Sequence, residues 1–165
     1  MATYTGINDL TVSLDGHVLT VTLNRPDSLN SLTEAMLATL ADTLGQATSD
    51  PQVKVVRLNG AGRGFCAGAG ISAEDQAAQA NSPTIDGLLI EANRAVKAIT
   101  ELPKPVVAVV GGATAGVGVS LALACDVPGA SILAPLPGFV MYAMSAQLQG
   151  LAFHGVPLTA DFELD

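Results

Sequence analysis

Two glycine-rich segments, each following a run of β-branched residues, constrain this chain more than any other feature. The first, residues 63–71, follows a predicted strand at 53–59, and the second, residues 111–118, follows a predicted strand at 106–110. Glycine loops have few side chains, so they present backbone N–H groups, which bind an oxygen that carries or develops negative charge. A tight turn without a ligand is the alternative for one such loop alone. The presence of two loops favours a binding site.

The runs around these loops alternate between strand and helix patterns. Four β-rich runs predict strands, of which the first two form a hairpin at Asp15-Gly16: residues 10–14, 18–23, 53–59 and 106–110. Helices are predicted at three places: residues 32–48, 84–102 and 118–124. The first helix begins at a capping box formed by Ser31 and Glu34, and its apolar residues recur at helical spacing: Leu32, Met36, Leu40 and Leu44. This alternation predicts an α/β fold with right-handed crossovers.

Composition and charge limit the classes of function. With 165 residues the chain is long enough for one domain with a buried core. Its net charge of -8 argues against a nucleic-acid partner, because phosphates bind clustered Lys and Arg. Cys66 and Cys125 form neither a CxxC pair nor a metal-ligand spacing. We therefore expect no metal site and two buried thiols in a reducing cytoplasm.

Two long stretches without charged residues, 105–125 and 127–160, raise the question of a membrane span. Glycines interrupt the first and prolines the second, and broken helices leave backbone groups that lipid does not satisfy. The N-terminus also lacks the pattern of a signal peptide. We expect a cytoplasmic protein with no membrane span. Its hydrophobic fraction of 49% favours burial against copies of itself, so we expect a homo-oligomer.

Three motifs, in order along residues 10–126, resemble those of the crotonase superfamily, the enoyl-CoA hydratase/isomerase fold. Residues 23–32 contain Leu-Asn-Arg-Pro and Leu-Asn-Ser-Leu, which are similar to the N-terminal signature of that family. Residues 63–71, with Phe-Cys-Ala-Gly-Ala, resemble its first glycine segment. Residues 104–126, from Lys-Pro-Val-Val-Ala to Ala-Cys-Asp, resemble its second.

The resemblance implies a spiral of repeated ββα turns that forms an acyl-CoA-binding core in residues 1–126. Beyond Asp126 the resemblance ends. Residues 127–165 match none of the C-terminal helices of the family, and we expect an atypical apolar tail there. The resemblance also implies a trimer or a hexamer of identical chains.

In this family, two backbone N–H groups hold the thioester carbonyl of an acyl-CoA. Matched onto this chain, the resemblance assigns these donors to Ala69 and Val117. It implies that the substrate site includes residues from both loops: Ala67, Gly68, Ala69, Gly70, Ile71, Gly116 and Val117. Coenzyme A is then part of the substrate, and no tightly bound cofactor is expected. Arg25, within the first motif, is a candidate contact for the CoA phosphates.

Three positions depart from the family pattern. Val117 stands where the family usually has glycine, and it would be strained if the donor required a positive φ. Gly70 stands where the family commonly has aspartate. Ser120 occupies the position of the first catalytic glutamate, although a serine hydroxyl is not basic near neutral pH.

The second catalytic glutamate belongs to the segment that residues 127–165 replace. Two functions therefore remain open. The first is an enoyl-CoA hydratase/isomerase that works through a backbone oxyanion hole, without the usual catalytic glutamates. The second is a weak or inactive member of the family that binds CoA thioesters or serves in assembly.

Overall fold

The computed structural model of the chain describes residues 3–69, 85–126, 131–136, 144, 147 and 152–157. The chain divides into two compact units, Met1–Asp126 and Val127–Asp165.

The described part of the first unit contains strands and α-helices in alternation. The strands are β1 (Leu10–Asp15), β2 (Val18–Leu23), β3 (Val55–Gly60), β4 (Gly64–Cys66), β5 (Val106–Val109) and β6 (Ala113–Thr114). The helices are α1 (Glu34–Ser49), α2 (Ile85–Thr100) and α3 (Val117–Ala124). A short 3-10 turn at Pro26–Ser28 precedes α1. The predicted α/β fold, with its four strands and three helices, is confirmed.

The main sheet has the strand order β1-β2-β3-β5. Strands β1 and β2 form the predicted antiparallel hairpin, while β2, β3 and β5 run parallel to one another. Strands β4 and β6 pair in parallel as a separate small sheet. Within its described residues, the unit therefore repeats the order strand–strand–helix three times, as β1-β2-α1, β3-β4-α2 and β5-β6-α3.

The core lies between helix α1, helix α2 and the inner face of the main sheet. The predicted apolar stripe of the first helix is confirmed, since its members are 0–1% exposed: Leu32, Met36, Leu40 and Leu44. Burial of one such side chain contributes about 1.5–3 kcal/mol. Helix α2 supplies a matching buried face with Ala92, Ala95 and Ile99.

The predicted capping box was wrong in its N-terminal residue. Thr33, and not Ser31, is the N-cap of α1, and its Oγ1 accepts a hydrogen bond of 3.2 Å from the N–H of Met36. Leu29 and Asn30 both have positive φ, so the turn that precedes the helix extends to Ser31, which is fully buried. Thr33 has the extended geometry that an N-cap adopts.

In the second unit, β7 (Ser131–Leu136) pairs in parallel with β8 (Ala152–Pro157). The register runs from Ser131 opposite Ala152 to Leu136 opposite Pro157. Among the helices that the structure describes, none is both long and apolar enough to cross a membrane.

Candidate functional site

A turn at residues 25–32, here called the support turn, precedes α1 and lies against the first glycine loop. Leu29 and Asn30 are both left-handed, with φ of 51° and 58°. Such a backbone costs about 1–3 kcal/mol per residue and persists only where its surroundings hold it. Here the N–H of Leu29 donates to Pro26 O at 3.1 Å, and the N–H of Asn30 donates to Arg25 O at 2.8 Å. The support turn is thus fixed by its own backbone.

Backbone hydrogen bonds join the support turn to the first loop. The N–H of Ala67 donates to Leu29 O at 2.9 Å, and the N–H of Leu32 donates to Gly68 O at 2.7 Å. Leu32 and Ala69 form an isolated parallel bridge. In a trans peptide the C=O and the N–H point in opposite directions. Because the Gly68 carbonyl faces Leu32, the N–H of Ala69 in the same peptide points away from the support turn.

The second loop directs a backbone N–H in the same way. Gly116 is the N-cap of α3, and its carbonyl accepts from the N–H of Val119 at 3.0 Å. The N–H of the same peptide belongs to Val117, the first residue of the helix, and it points out of the helix N-terminus. The positive φ of this turn, 53°, falls on Gly116 and not on Val117. The valine therefore has an ordinary helical backbone. The strain considered for Val117 in the sequence analysis, which required a positive φ, does not arise.

The N–H groups of Ala69 and Val117 share one property. Within the described ranges, neither of them donates a hydrogen bond. Backbone donors inside a folded chain are nearly always paired. The two predicted loops therefore each carry a donor that has no acceptor among the described residues.

Close backbone contacts bring the two loops together. Ala115 donates its N–H to Cys66 O at 2.9 Å, next to the pairing of β4 with β6. A Cβ added at Gly116 would lie 3.5 Å from the Cα of Gly68. A Cβ added at Gly118 would lie 2.5 Å from Cys66 O and 2.8 Å from its Sγ. Only glycine allows this approach at position 118.

The structure thus places most of the predicted substrate residues side by side: Ala67, Gly68, Ala69, Gly116 and Val117. Gly68 is buried, whereas Ala67, Ala69 and Val117 are half-buried and Gly116 is exposed. The predictions for Gly70 and Ile71 lie outside the described residues.

Two buried cysteines lie near the loops and are free thiols, as expected. Burial raises the pKa of Cys66 to about 11, and a backbone hydrogen bond with Gly68 offsets part of that rise. Burial, followed by the nearby charge of Asp126, raises the pKa of Cys125 to about 12. Both thiols are therefore protonated at neutral pH and packed as small apolar groups, and neither is a thiolate nucleophile.

Ser120 lies one turn after Val117 on α3 and is exposed. Its hydroxyl makes no hydrogen bond to another residue within the part of the chain that the structure describes. The same part contains no group of three or more His, Cys, Asp or Glu that could hold a metal ion. The described site accordingly offers backbone donors and one hydroxyl.

Arg25 is mostly buried, with a side chain 15% exposed. Its Nη1 donates to Ser31 O at 2.7 Å, and its Nε lies 3.7 Å from Asp9 Oδ2. These contacts brace the support turn. The expected contact of Arg25 with CoA phosphates stays a prediction.

Sequence reasoning did not single out Asn30, which is fully buried beneath the first loop. Its Nδ2 donates to Ala61 O and Gly64 O, both at 2.9 Å, and its Oδ1 accepts from the N–H of Arg25 at 2.9 Å. The signal available in the sequence was an asparagine within the first motif, because Asn adopts a positive φ more readily than most residues.

Known proteins resemble this chain at the level of family and of fold. Residues 18–129 match the family model described as enoyl-CoA hydratase/isomerase. A 1,2-epoxyphenylacetyl-CoA isomerase from Escherichia coli is 42% identical over 113 residues, 67% of this chain and 42% of that relative. The crystal structure of an enoyl-CoA hydratase from Mycobacterium avium subsp. paratuberculosis K-10 superposes with a TM-score of 0.68 at 38% identity, over 93% of this chain and 73% of that one.

A different kind of relative matches a shorter stretch. A histidinol-phosphate aminotransferase from Methylibium petroleiphilum is 82% identical over 45 residues, 27% of this chain and 12% of that relative. Another, from Polaromonas naphthalenivorans, is 56% identical over 80 residues, 48% of this chain and 22% of that relative. The chain spans less than half the length of the curated relatives described here.

The family model covers most of the first unit, including both glycine loops and the support turn. Together with the solved relative, it confirms the resemblance that the three motifs carried and the spiral of ββα repeats. The chain belongs to the enoyl-CoA hydratase/isomerase family.

Proposed function

We propose that the N–H groups of Ala69 and Val117 form an oxyanion hole that binds the thioester carbonyl of an acyl-CoA. The observation that carries this proposal is a pair of N–H groups that have no acceptor among the described residues, on two loops whose backbones are in contact. The name of a relative adds the substrate class, because the Escherichia coli relative is named 1,2-epoxyphenylacetyl-CoA isomerase. Coenzyme A is then part of the substrate, and no tightly bound cofactor takes part.

The chemistry follows from where charge develops. Removing a proton from the carbon next to a thioester carbonyl places negative charge on the carbonyl oxygen. Two fixed N–H donors stabilise that oxygen, and each one is worth about 3–4 kcal/mol in the transition state. The N-terminus of α3, which begins at Val117, adds a partial positive charge of about one half at the same place.

Proton transfer is the weaker part of the proposed reaction. Ser120 stands where the resemblance places a glutamate, and its hydroxyl does not accept a proton readily near neutral pH. A positioned general acid or base contributes about 10²–10⁴-fold to the rate. We therefore propose slow hydratase or isomerase turnover, with Ser120 at the catalytic position but not acting as a base. A family member that binds CoA thioesters without turnover is the second candidate.

The aminotransferase similarity does not extend the proposal to transamination. It covers 12% of the Methylibium petroleiphilum relative and 22% of the Polaromonas naphthalenivorans relative.

We also propose that the chain is a cytoplasmic homo-oligomer, a trimer or a hexamer. Support comes from exposed apolar side chains on and after the edge strand β5: Val107, Val109 and Val110. Light scattering tests this directly, because a monomer at micromolar concentration would contradict it.

One substitution tests the oxyanion hole without removing a helical hydrogen bond. Val117 is the first residue of α3, a position where proline is well tolerated, and proline lacks the N–H. We expect Val117→Pro to weaken binding of acetoacetyl-CoA about tenfold or more, measured by calorimetry, with free CoA as the reference ligand. Val117→Ala keeps the N–H and is the matched control.

Equal affinity of Val117→Pro and Val117→Ala for acetoacetyl-CoA would contradict the proposed donor. Absence of binding to the folded wild type would contradict acyl-CoA recognition altogether. A parallel assay follows the loss of the conjugated enoyl absorbance of crotonyl-CoA, which separates slow turnover from binding alone.

A further inference from the structure

We propose that Asn30 is the positioning residue that sets the place of the Ala69 donor. This inference rests on the proposed oxyanion hole and adds a residue that does not itself touch the substrate. Asn30 acts through the first glycine loop, because its side chain is hydrogen-bonded to Gly64, near the start of that loop.

The side chain of Asn30 ties three separate backbone segments together. Its Nδ2 donates to Ala61 O, just after β3, and to Gly64 O, the first residue of β4, both at 2.9 Å. Its Oδ1 accepts from the N–H of Arg25 at 2.9 Å, which closes the support turn. One buried amide therefore fixes the distance between the support turn and the strand that leads into the loop.

The other end of the loop is fixed by the same turn. Ala67 donates to Leu29 O, and Leu32 donates to Gly68 O. Among the described residues, the support turn thus holds the loop at Gly64, Ala67 and Gly68, and the hydrogen bond at Gly64 comes from the Asn30 side chain. A displacement of the support turn moves the Gly68–Ala69 peptide directly, because the carbonyl of that peptide accepts a hydrogen bond from the N–H of Leu32.

The surroundings leave little freedom for another side chain at position 30. Asn30 is fully buried and has φ of 58°, a backbone that asparagine and glycine accept and most residues do not. A Cβ at Gly60 would lie 2.8 Å from Asn30 Nδ2, so the strand β3 closes the pocket on that side. Asparagine thus combines the required backbone with two donors and an acceptor.

Two variants separate the amide from the backbone conformation. Asn30→Gly keeps the positive φ and removes all three side-chain hydrogen bonds. Asn30→Asp keeps the shape and the acceptor for Arg25, but places an oxygen against the carbonyls of Ala61 and Gly64. The matched control is Asn24→Asp, which removes one Nδ2 donor to a backbone carbonyl, Asn8 O at 2.9 Å, outside the loop.

The readout is the ratio of affinities for acetoacetyl-CoA and free CoA, which lacks the thioester carbonyl. We expect this ratio to fall about tenfold in both Asn30 variants. A misplacement of about 1 Å at a reacting group can lower the rate of a reaction by about 10²-fold, so a smaller displacement of the donor suffices for this loss. Affinity for free CoA should change less than twofold, and Asn24→Asp should match the wild type in both.

Several outcomes would overturn the inference. An unchanged ratio in folded Asn30→Gly would exclude a positioning role, as would equal losses for both ligands. Failure of both variants to fold, judged by circular dichroism, would make Asn30 a residue of the core and not of the site. A wild type that binds neither ligand would instead contradict the proposed function.

A separate observation concerns the C-terminal unit, Val127–Asp165. The family model ends at residue 129, within a few residues of the boundary between the units. One aminotransferase relative is 82% identical over 45 residues, a length similar to that of the C-terminal unit, and another is 56% identical over 80 residues. We infer that this similarity belongs to the C-terminal unit, that the chain joins segments of two families, and that acyl-CoA binding does not require the second unit.

A protease cleavage sequence inserted between Asp126 and Val127 tests this inference on the full chain. We expect the melting temperature of the first unit and the affinity for acetoacetyl-CoA to be the same before and after cleavage, within twofold for affinity. A large fall in the melting temperature on cleavage would overturn the inference, even if the uncut protein binds no CoA thioester. Loss of binding on cleavage alone would overturn it as well.

Discussion

Gly118→Ala tests whether the two glycine loops meet as the structure describes. A Cβ at position 118 would lie 2.5 Å from Cys66 O, 2.7 Å from Cys66 Cβ and 2.8 Å from Cys66 Sγ. Ordinary van der Waals contact needs about 3.5 Å between such atoms, so α3 and β4 must separate by roughly 1 Å. Two of the three clashes are with backbone or Cβ atoms, which a rotamer change does not relieve.

The expected consequences follow for stability and for binding. Overpacking of this kind costs typically 1–3 kcal/mol, which urea unfolding measures. The separation also moves the Val117 donor relative to Ala69, so we expect affinity for acetoacetyl-CoA to fall by about tenfold or more. Affinity for free CoA should fall much less, since free CoA has no thioester carbonyl.

Gly45→Ala is the matched control for this experiment. Gly45 lies in helix α1 with no atom near the position of an added Cβ, so alanine should stabilise the chain by about 0.5–1 kcal/mol. It should leave both affinities unchanged. A Gly118→Ala protein with wild-type stability and wild-type affinity for acetoacetyl-CoA would refute the close approach of the loops.

Two further predictions concern stability. Thr33→Ala removes the N-cap of α1 and should lower the free energy of unfolding by about 0.5–2 kcal/mol in urea titrations. An unchanged free energy would indicate that Ser31, and not Thr33, is the N-cap. Stability should also fall in alkali, because the pKa of Cys66 is raised from 9.0 to about 11 and that of Cys125 to about 12. The folded state binds these protons more tightly than the unfolded state does. The stability that this difference contributes is fully present below pH 9 and is lost as the pH rises through 11 and 12. Melting temperatures from pH 8 to 11 check this, and Cys66→Ala should reduce the slope; an equal slope in the variant would contradict the assignment.

Local patterns were enough to predict much of the fold. The dipeptide Asp15-Gly16 is a sequence signal for the tight turn of a β-hairpin, and it acts over a few residues only. The structure has a hairpin of β1 and β2 at this place. The apolar spacing of Met36, Leu40 and Leu44 predicted the buried face of α1, because a helix presents every third or fourth residue to the same side.

Features that depend on long-range contacts could not be predicted locally. Strand β4 has three residues, of which Gly64 is one, and it forms because β6 lies beside it about fifty residues later in sequence. The displaced N-cap arises from the positive φ of Leu29 and Asn30, which is held by hydrogen bonds to Ala61, Gly64 and Ala67. Leucine gives no sequence signal for such a backbone.

The candidate site was predictable through the family motifs, which assigned Ala69 and Val117. The structure adds that the N–H groups of both residues are unpaired among the described residues, and that Gly116 takes the strained backbone next to Val117. The contribution of Asn30 was missed because a buried asparagine is recognised by its partners, which lie up to 34 residues away in sequence.

The carbonyl stretching frequency of a bound thioester tests the oxyanion hole most directly. Infrared difference spectra of acetoacetyl-CoA, labelled with ¹³C at the thioester carbonyl, report hydrogen bonds to that one oxygen. We expect a lower frequency on binding to the wild type, a smaller shift in Val117→Pro, and the wild-type shift in Val117→Ala. A bound thioester that vibrates at the same frequency in the wild type and in Val117→Pro would contradict it.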